Sequence, residues 1–289
     1  MFWLFLVLAI GLAVFVWAAF VERNLFTVKY ESVAVLPKGA KPIRVLHISD
    51  IHMAPWQKRK QRWISKLADL KVDLVVNTGD NLGHSAALAS TLESLTPLLE
   101  LPGVFVNGSN DYYAPGFRNP FNYLFKPSTP MPGKPLDTKA LNLAFEKNWI
   151  NLNNRSGTLN IKGTTIGFAG LDDPHDQLAD YDGIKLPTGT DVLIGVAHAP
   201  YRRVIDELGG CALIFAGHTH GGQVCLPDGR AIVTNCDLPA KNARGLSGWQ
   251  TPKGQTFLNV CAGLGTSIFA PVRLFCRPEV RLLTLLPKN

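Results

Sequence analysis

The hydrophobic pattern opens with an apolar run over residues 1–21 that carries no charged side chain. At about 1.5 Å per helical residue such a run crosses a hydrocarbon core of about 30 Å. It predicts a transmembrane helix, and without a basic n-region it fits an uncleaved anchor better than a cleaved signal peptide. Residues 22–42 read as a connector with a short strand over 25–35. Beyond it, short apolar runs at Ile43–Ile48, 72–77, 104–107, Val192–Val196 and 212–216 predict buried strands. Trp63, Ile64, Leu67 and Leu70 recur at helical spacing and predict an amphipathic helix over 57–70, with further helices over 85–99, 138–148 and 201–208. Shorter strands are expected at 158–161 and 165–169 and near Val224, Ala231, Phe257 and Val280.

Strand, helix and strand in that order make a βαβ unit at the start of the domain. A parallel first half followed by many short strands implies an α/β fold: a four-layer α-β-β-α sandwich of two mixed sheets over residues 43–289, preceded by the transmembrane helix. The pattern breaks over residues 112–135, where prolines recur at 115, 120, 127, 130, 132 and 135 among six aromatic side chains. A long irregular segment inside a compact domain is usually functional or disordered, and this one reads as a lid insertion, with a plain surface excursion as the alternative.

Charge adds a compartment. No Lys or Arg precedes the apolar run, whereas Arg23, Lys29, Lys38, Lys41 and Arg44 come after it, so the positive-inside rule puts the domain on the cytoplasmic side of the cell membrane as a single-pass protein. Five cysteines without a CxxC spacing are an odd set and read as reduced, buried thiols. The net charge of +7 beside a bilayer suggests anionic headgroups or phosphorylated substrates as partners. Nucleic acid ranks lower, because no helix-turn-helix, zinc-finger or RNA-binding pattern is present. The cluster Lys58, Arg59, Lys60 and Arg62 reads as a solvated helix face, with membrane contact as the alternative. Nothing in the sequence sets an oligomeric state.

The candidate chemistry lies just after the strands. Asp50 and His52, Asp80, the loop Gly108-Ser109-Asn110-Asp111, His198, and the pair His218 and His220 each come directly after an apolar run. In α/β domains ligands gather at the C-terminal ends of strands, so five such ends describe one site. Asp80 has two oxygens with which to bridge two cations; Asp50 and His52 belong to one metal, and His198, His218 and His220 supply nitrogens. Mixed oxygen and nitrogen donors suit Mn²⁺ first, with Fe or Zn²⁺ as alternatives, and not Ca²⁺. Two metals about 3.5–4 Å apart acidify a shared water and clamp an in-line displacement at phosphorus, which points to phosphoester hydrolysis.

The order Asp-x-His, Gly-Asp, a Gly-Asn-His-like loop, a lone His and Gly-His-x-His resembles the calcineurin-like metallophosphoesterase superfamily, from residue 43 to the C-terminus. Gly217 to Gln223, Leu171 to His175 and Gly263-Leu264-Gly265-Thr266 look like its membrane-associated bacterial branch. The resemblance implies that Asp50, His52 and His220 hold a first metal, that His198 and His218 hold a second, and that Asp80 bridges them. It implies attack by a metal-bridged hydroxide on a phosphodiester or pyrophosphate. Some members of that branch cleave lipid-linked substrates such as the pyrophosphate of UDP-diacylglucosamine.

One motif departs from the resemblance. Where the family has Gly-Asn-His, this chain has Gly108-Ser109-Asn110, so Asn110 occupies the position of the histidine that assists the leaving group. Asn110 cannot donate a proton as an acid does at neutral pH. Either Asn110 shifts by one place to ligate the second metal, or Ser109 ligates weakly; His175 or His84 could stand in for the missing imidazole. A second class of function therefore stays open, a metal-binding scaffold of the same fold without turnover. Arg273 and Arg277 read as solvated, with a substrate phosphate as the alternative, and Asp172 and Asp173 as turn or supporting residues.

Overall fold

The computed structural model describes residues 1–116 and 133–289, so residues 117–132, most of the expected lid, lie outside the described residues. The first sheet has the order β1 (Thr27–Leu36), β12 (Glu279–Pro287), β2 (Ile43–Ile48), β3 (Leu74–Asn77), β4 (Gly103–Phe105) and β5 (Trp149–Asn151). The second has the order β10 (Gly245–Thr251), β11 (Gly254–Val260), β9 (Leu213–Ala216), β8 (Val192–Val196), β7 (Thr164–Gly170) and β6 (Ser156–Ile161). Both sheets are mixed. β2, β3, β4 and β5 run parallel, as do β7, β8, β9 and β11, while β12 against β2, β6 against β7 and β10 against β11 are antiparallel.

Alternation along each strand divides the side chains between two buried faces. In β2, Ile43 and Val45 enter the core between the sheets, where they meet Ile194, Val196 and Phe215 of the second sheet. Leu46 and Ile48 turn outward to Ile64, Leu95, Leu98 and Phe145 of the covering helices. Those helices are α2 (Lys58–Ser65, continued by a 3₁₀ turn), α3 (Leu88–Leu99) and α5 (Thr138–Phe145). Across the molecule, Ile214 and Ala216 of β9 meet Val204 and Ile205 of α6 (Arg202–Glu207). The result is the expected four layers, with strands buried on both faces as continuous apolar runs require.

The structure departs from the sequence reading in three places. The short strand expected over 25–35 is present as β1, but its pairing with β12 from Thr27 to Leu36 makes it an edge strand of the first sheet and not part of a connector. Val224 and Ala231 make only isolated bridges, to Leu274 and Cys225, because a tight turn at Pro227 and Gly229 leaves no room for a ladder. The edge strand β10 lies outside the expected set, since its residues alternate between half-buried and exposed and include three glycine and serine positions that dilute the apolar signal.

The N-terminal helix α1 (Phe2–Val16) continues through a π turn (Trp17–Val21) and a 3₁₀ turn (Glu22–Asn24), giving 23 residues that contain an 18-residue window of mean hydropathy 2.8. By length and composition it can cross a membrane. Its apolar side chains are exposed until Ala18 and Ala19, which are buried against the domain. There the Ala18 carbonyl accepts from the Arg273 backbone N–H (3.2 Å), and Glu22 Oε1 accepts from the Cys276 N–H (2.8 Å).

Candidate metal centre

The parallel strands of both sheets deliver their C-terminal ends to one place. β2 leads into Asp50 and His52, β3 into Asp80, β4 into Gly108 and the short helix α4 (Ser109–Tyr112), β8 into His198, and β9 into His218 and His220. Asp50, His52, Asp80, His218 and His220 all have left-handed backbone, with φ of 46°, 42°, 55°, 68° and 50°. Left-handed backbone at non-glycine residues is unfavourable and persists only where the surroundings impose it, and five cases in one cluster mark a site under functional constraint. Two glycines permit the approach: a Cβ on Gly108 would strike the Asp80 carboxylate and the His198 ring, and one on Gly217 would strike Ser49 and Asp50.

Two groups of potential ligands result, Asp50 with His52 and His220, and Asp50 with Asp80 and His198. Asp80 Oδ2 lies 3.3 Å from His52 Nε2 and 3.6 Å from His198 Nε2, between the two groups. His52 Nε2 faces His220 Nε2 at 3.3 Å, and His198 Nε2 faces His218 Nδ1 at 3.3 Å. His198 Nδ1 donates to the Thr78 carbonyl (2.7 Å), which orients its Nε2 inward. His218 Nε2 lies 3.3 Å from the Asn235 carbonyl, which leaves its Nδ1 toward the site.

The electrostatics fit cations. Asp50 and Asp80 are buried, and among the described residues their ion pairs are with imidazoles and not with Lys or Arg. Burial pushes Asp50 up to about 6, against the pull of His198. Burial acts the same way on Asp80, but His198 and His52 outweigh it and hold that carboxylate well below its usual range. Burial opposes charge on His198, yet Asp80, Asp173 and Asp50 raise it to about 9. The carboxylates favour positive charge at this place, which is the charge a divalent cation carries. His52 is lowered to about 4 by burial, and His218 and His220 fall well below the ordinary value for the same reason, which leaves their nitrogens neutral and able to ligate.

The loop that departs from the expected motif has a definite place. The Asn110 backbone N–H donates to Asp80 Oδ1 (2.8 Å) and its amide Nδ2 to Asp80 Oδ2 (2.9 Å), whereas Ser109 Oγ lies 3.5 Å from that amide. Asp111 closes the turn, accepting from the Asn81, Leu82 and Gly108 N–H groups at 2.8–3.3 Å. Burial, reinforced by the Asp80 charge, pushes Asp111 up to about 7 against those donors. His175 comes to the site, its ring 4.6 Å from that of His218 and its Nδ1 2.8 Å from the Tyr201 hydroxyl. His84 instead packs on Trp56, at 5.1 Å between ring centroids. The Tyr112 hydroxyl donates to the Asp172 carboxylate, whose two oxygens lie 2.6 and 2.8 Å from it, and Asp173 is buried near enough to raise His198.

Two cations are not where a charge pattern would put them. Lys60 is buried and donates to the Ile51 carbonyl (2.7 Å), bracing the turn between Asp50 and His52 instead of meeting solvent. Arg273 is fully buried, and its guanidinium donates to the carbonyls of His220, Ala262, Gly263, Gly265 and Cys276 at 2.7–3.3 Å. It is neither solvated nor free to hold a phosphate. The carbonyls it collects belong to loops behind Asp50 and His220, and a lone Arg in a basic sequence carries no signal of that.

Fold and site together define a protein that gathers Asp and His on the crest of two stacked sheets, a metal-dependent hydrolase architecture. The model of the calcineurin-like phosphoesterase domain matches residues 43–222, more than half of the chain, and the chain belongs to that family. It is similar to the uncharacterized protein YpbG of Bacillus subtilis (28% identity, covering 86% of this chain and 83% of that one) and to the uncharacterized metallophosphoesterase YkoQ of the same organism (24% identity, 94% and 96%). A transmembrane protein with metallophosphoesterase domain from Danio rerio is 25% identical over 65% of this chain and 43% of its own length.

Proposed function

We propose that this chain is a membrane-anchored phosphoesterase that uses two divalent metal ions to hydrolyse a phosphodiester or pyrophosphate bond, in a lipid-linked substrate. The observation that carries the reading is the convergence of Asp50, His52, Asp80, His198, His218 and His220 with buried carboxylates that lack a Lys or Arg partner among the described residues. Asp50, His52 and His220 would hold the first ion, His198, His218 and the Asn110 side chain would hold the second, and Asp80 would serve both. This donor set suits Mn²⁺, Fe or Zn²⁺. When bound, such ions supply Lewis-acid charge and lower the pKa of a water.

The chain's own part is orientation. Asn110 fixes both oxygens of Asp80, and Thr78 fixes the His198 ring. With Asn110 at the position of the family's imidazole, the leaving group departs without an acid at that position. General acid catalysis is typically worth about 10²- to 10⁴-fold, so substrates with a good leaving group, such as a nucleotide or a phenolate, suit this site. The apolar helix supports a lipid-linked substrate, and the basic residues after it, with five free cysteines, support a cytoplasmic domain.

The test is hydrolysis of an activated phosphodiester by the detergent-solubilised full chain against Mn²⁺ concentration, with metal content per chain, beside Asp80→Asn. Two ions and turnover that collapses in the variant are expected. Bound metal with no turnover on any phosphoester would favour the second reading, a metal-binding scaffold, which the histidine-free loop at Ser109 and Asn110 motivates. Full activity in Asp80→Asn would overturn the site assignment.

A further inference from the structure

We infer that the face from which the N-terminal helix leaves the domain carries a binding site for the headgroup of an anionic phospholipid. The inference rests on the membrane reading above. A cleft of about 770 Å³ opens beside the helix end, within the roughly 300–1,000 Å³ typical of ligand sites. Trp17 of the helix and Phe275 form apolar walls, and Lys29, Arg244 and Arg277 line it with positive charge.

The acids in the cleft are already engaged. Glu22 accepts from Trp17 Nε1 (3.0 Å) and the Cys276 N–H (2.8 Å), while Arg281 is held by Glu31 and Glu279 at 2.6 Å each. Lys29 and Arg277 are exposed and have no ion-pair partner among the described residues. They are the charges left over for a ligand, and the ligand they fit is anionic.

The surroundings say where that anion comes from. Trp17 is 45% exposed at the point where the helix leaves the domain, the position at which Trp rings favour the membrane interface. Phe275 is 46% exposed and sits at φ 53°, an unfavourable backbone for an aromatic residue that holds its ring outward. Leu226 is likewise 41% exposed, on a turn tied to Phe275's loop by the Cys225 N–H to Leu274 carbonyl bond (2.9 Å). Apolar tips around unpaired cations at the foot of an apolar helix complement a lipid, with acyl chains beside the helix and phosphate against Lys29 and Arg277.

The test uses the full chain extracted from membranes in mild detergent, with retained phosphatidylglycerol and phosphatidylcholine counted by native mass spectrometry. Preferential retention of phosphatidylglycerol is expected. Lys29→Gln with Arg277→Gln should reduce it roughly thirtyfold, since a cation near an anionic surface is worth about 1 kcal/mol. Phe275→Ser should weaken retention of the lipid without weakening any effect of inorganic phosphate. Equal retention by the double variant, no preference over phosphatidylcholine, or equal competition by inorganic phosphate would each overturn the site. Alkaline washing of the membranes reads the anchor separately. A chain that washes off refutes the membrane reading, whereas a chain that stays but keeps no anionic lipid refutes the headgroup site alone.

Discussion

Replacing Arg273 by Lys should destabilise the domain and loosen the first metal group together. The guanidinium has five N–H donors and serves five buried carbonyls, of His220, Ala262, Gly263, Gly265 and Cys276. The His220 and Gly263 carbonyls also accept from the Gln223 and Glu279 N–H groups, so the acceptors that depend on the guanidinium are those of Ala262, Gly265 and Cys276. An ammonium has its three donors on a single point, whereas the fork reaches Cys276 through one nitrogen and Ala262 and Gly265 through others, so one or two of these acceptors lose their partner. Each buried acceptor left unpaired costs about 1–3 kcal/mol, which gives about 1–6 kcal/mol against a total stability of about 5–15 kcal/mol. The midpoint of thermal unfolding of the full chain, read by circular dichroism, should fall by roughly 2–20 °C. The effect should reach the metals, because Arg273 holds the carbonyl of His220 and the 263–265 turn, whose Gly265 N–H donates to the Asp50 carbonyl (2.6 Å). Residues that orient ligands typically contribute about 10- to 100-fold in metal affinity, a loss that calorimetric titration with Mn²⁺ would read. A midpoint within about 1 °C of wild type would refute the reasoning, since it corresponds to less than the loss of one such bond.

Asn110→Ala removes the amide bond to Asp80 and should weaken Mn²⁺ binding about 10- to 100-fold; unchanged titration would place the loop ligand elsewhere. Burial drives His47 down to about 3 from 6.5, with the Arg281 charge adding to it and the Asn259 contact opposing. The unfolded chain therefore takes up a proton between those values that the folded chain refuses, so this contribution is complete above about 6.5 and is lost as pH falls toward about 3. His47→Gln should flatten that part of the acid limb in urea unfolding at a series of pH values, and an unaltered slope would remove His47 from the account. Deleting residues 1–16 leaves Ala18 and Glu22 on the domain, whereas deleting 1–24 removes both contacts with the Arg273 loop. The longer deletion should melt lower in the same detergent, and equal midpoints would mean that the docked turn contributes nothing.

The sequence by itself determined the layers and made the six Asp and His legible as residues that follow strands, because both are local signals. Apolar runs bounded by polar residues fix strands such as Ile43–Ile48 and Val192–Val196, and a strand buried on both faces can end only where the chain returns to polar side chains. The residues just past such a strand are adjacent to it in the chain, so Asp50, Asp80, His198 and His218 could be read as strand-end residues. The tertiary structure decided the features that depend on partners far apart in the chain. A short strand over 25–35 was legible, but its place in the first sheet was not, because its ladder partner β12 lies more than 240 residues later and nothing in residues 22–42 announces it. Lys60 and Arg273 carry charges that a linear reading assigns to solvent. Each instead satisfies buried carbonyls that only the folded chain brings together, and a buried carbonyl without water must find a donor. Asn110 is the intermediate case. Its departure from the family's loop is plain in the sequence, but its two bonds to Asp80 exist only because α4 starts where β3 and β4 end side by side.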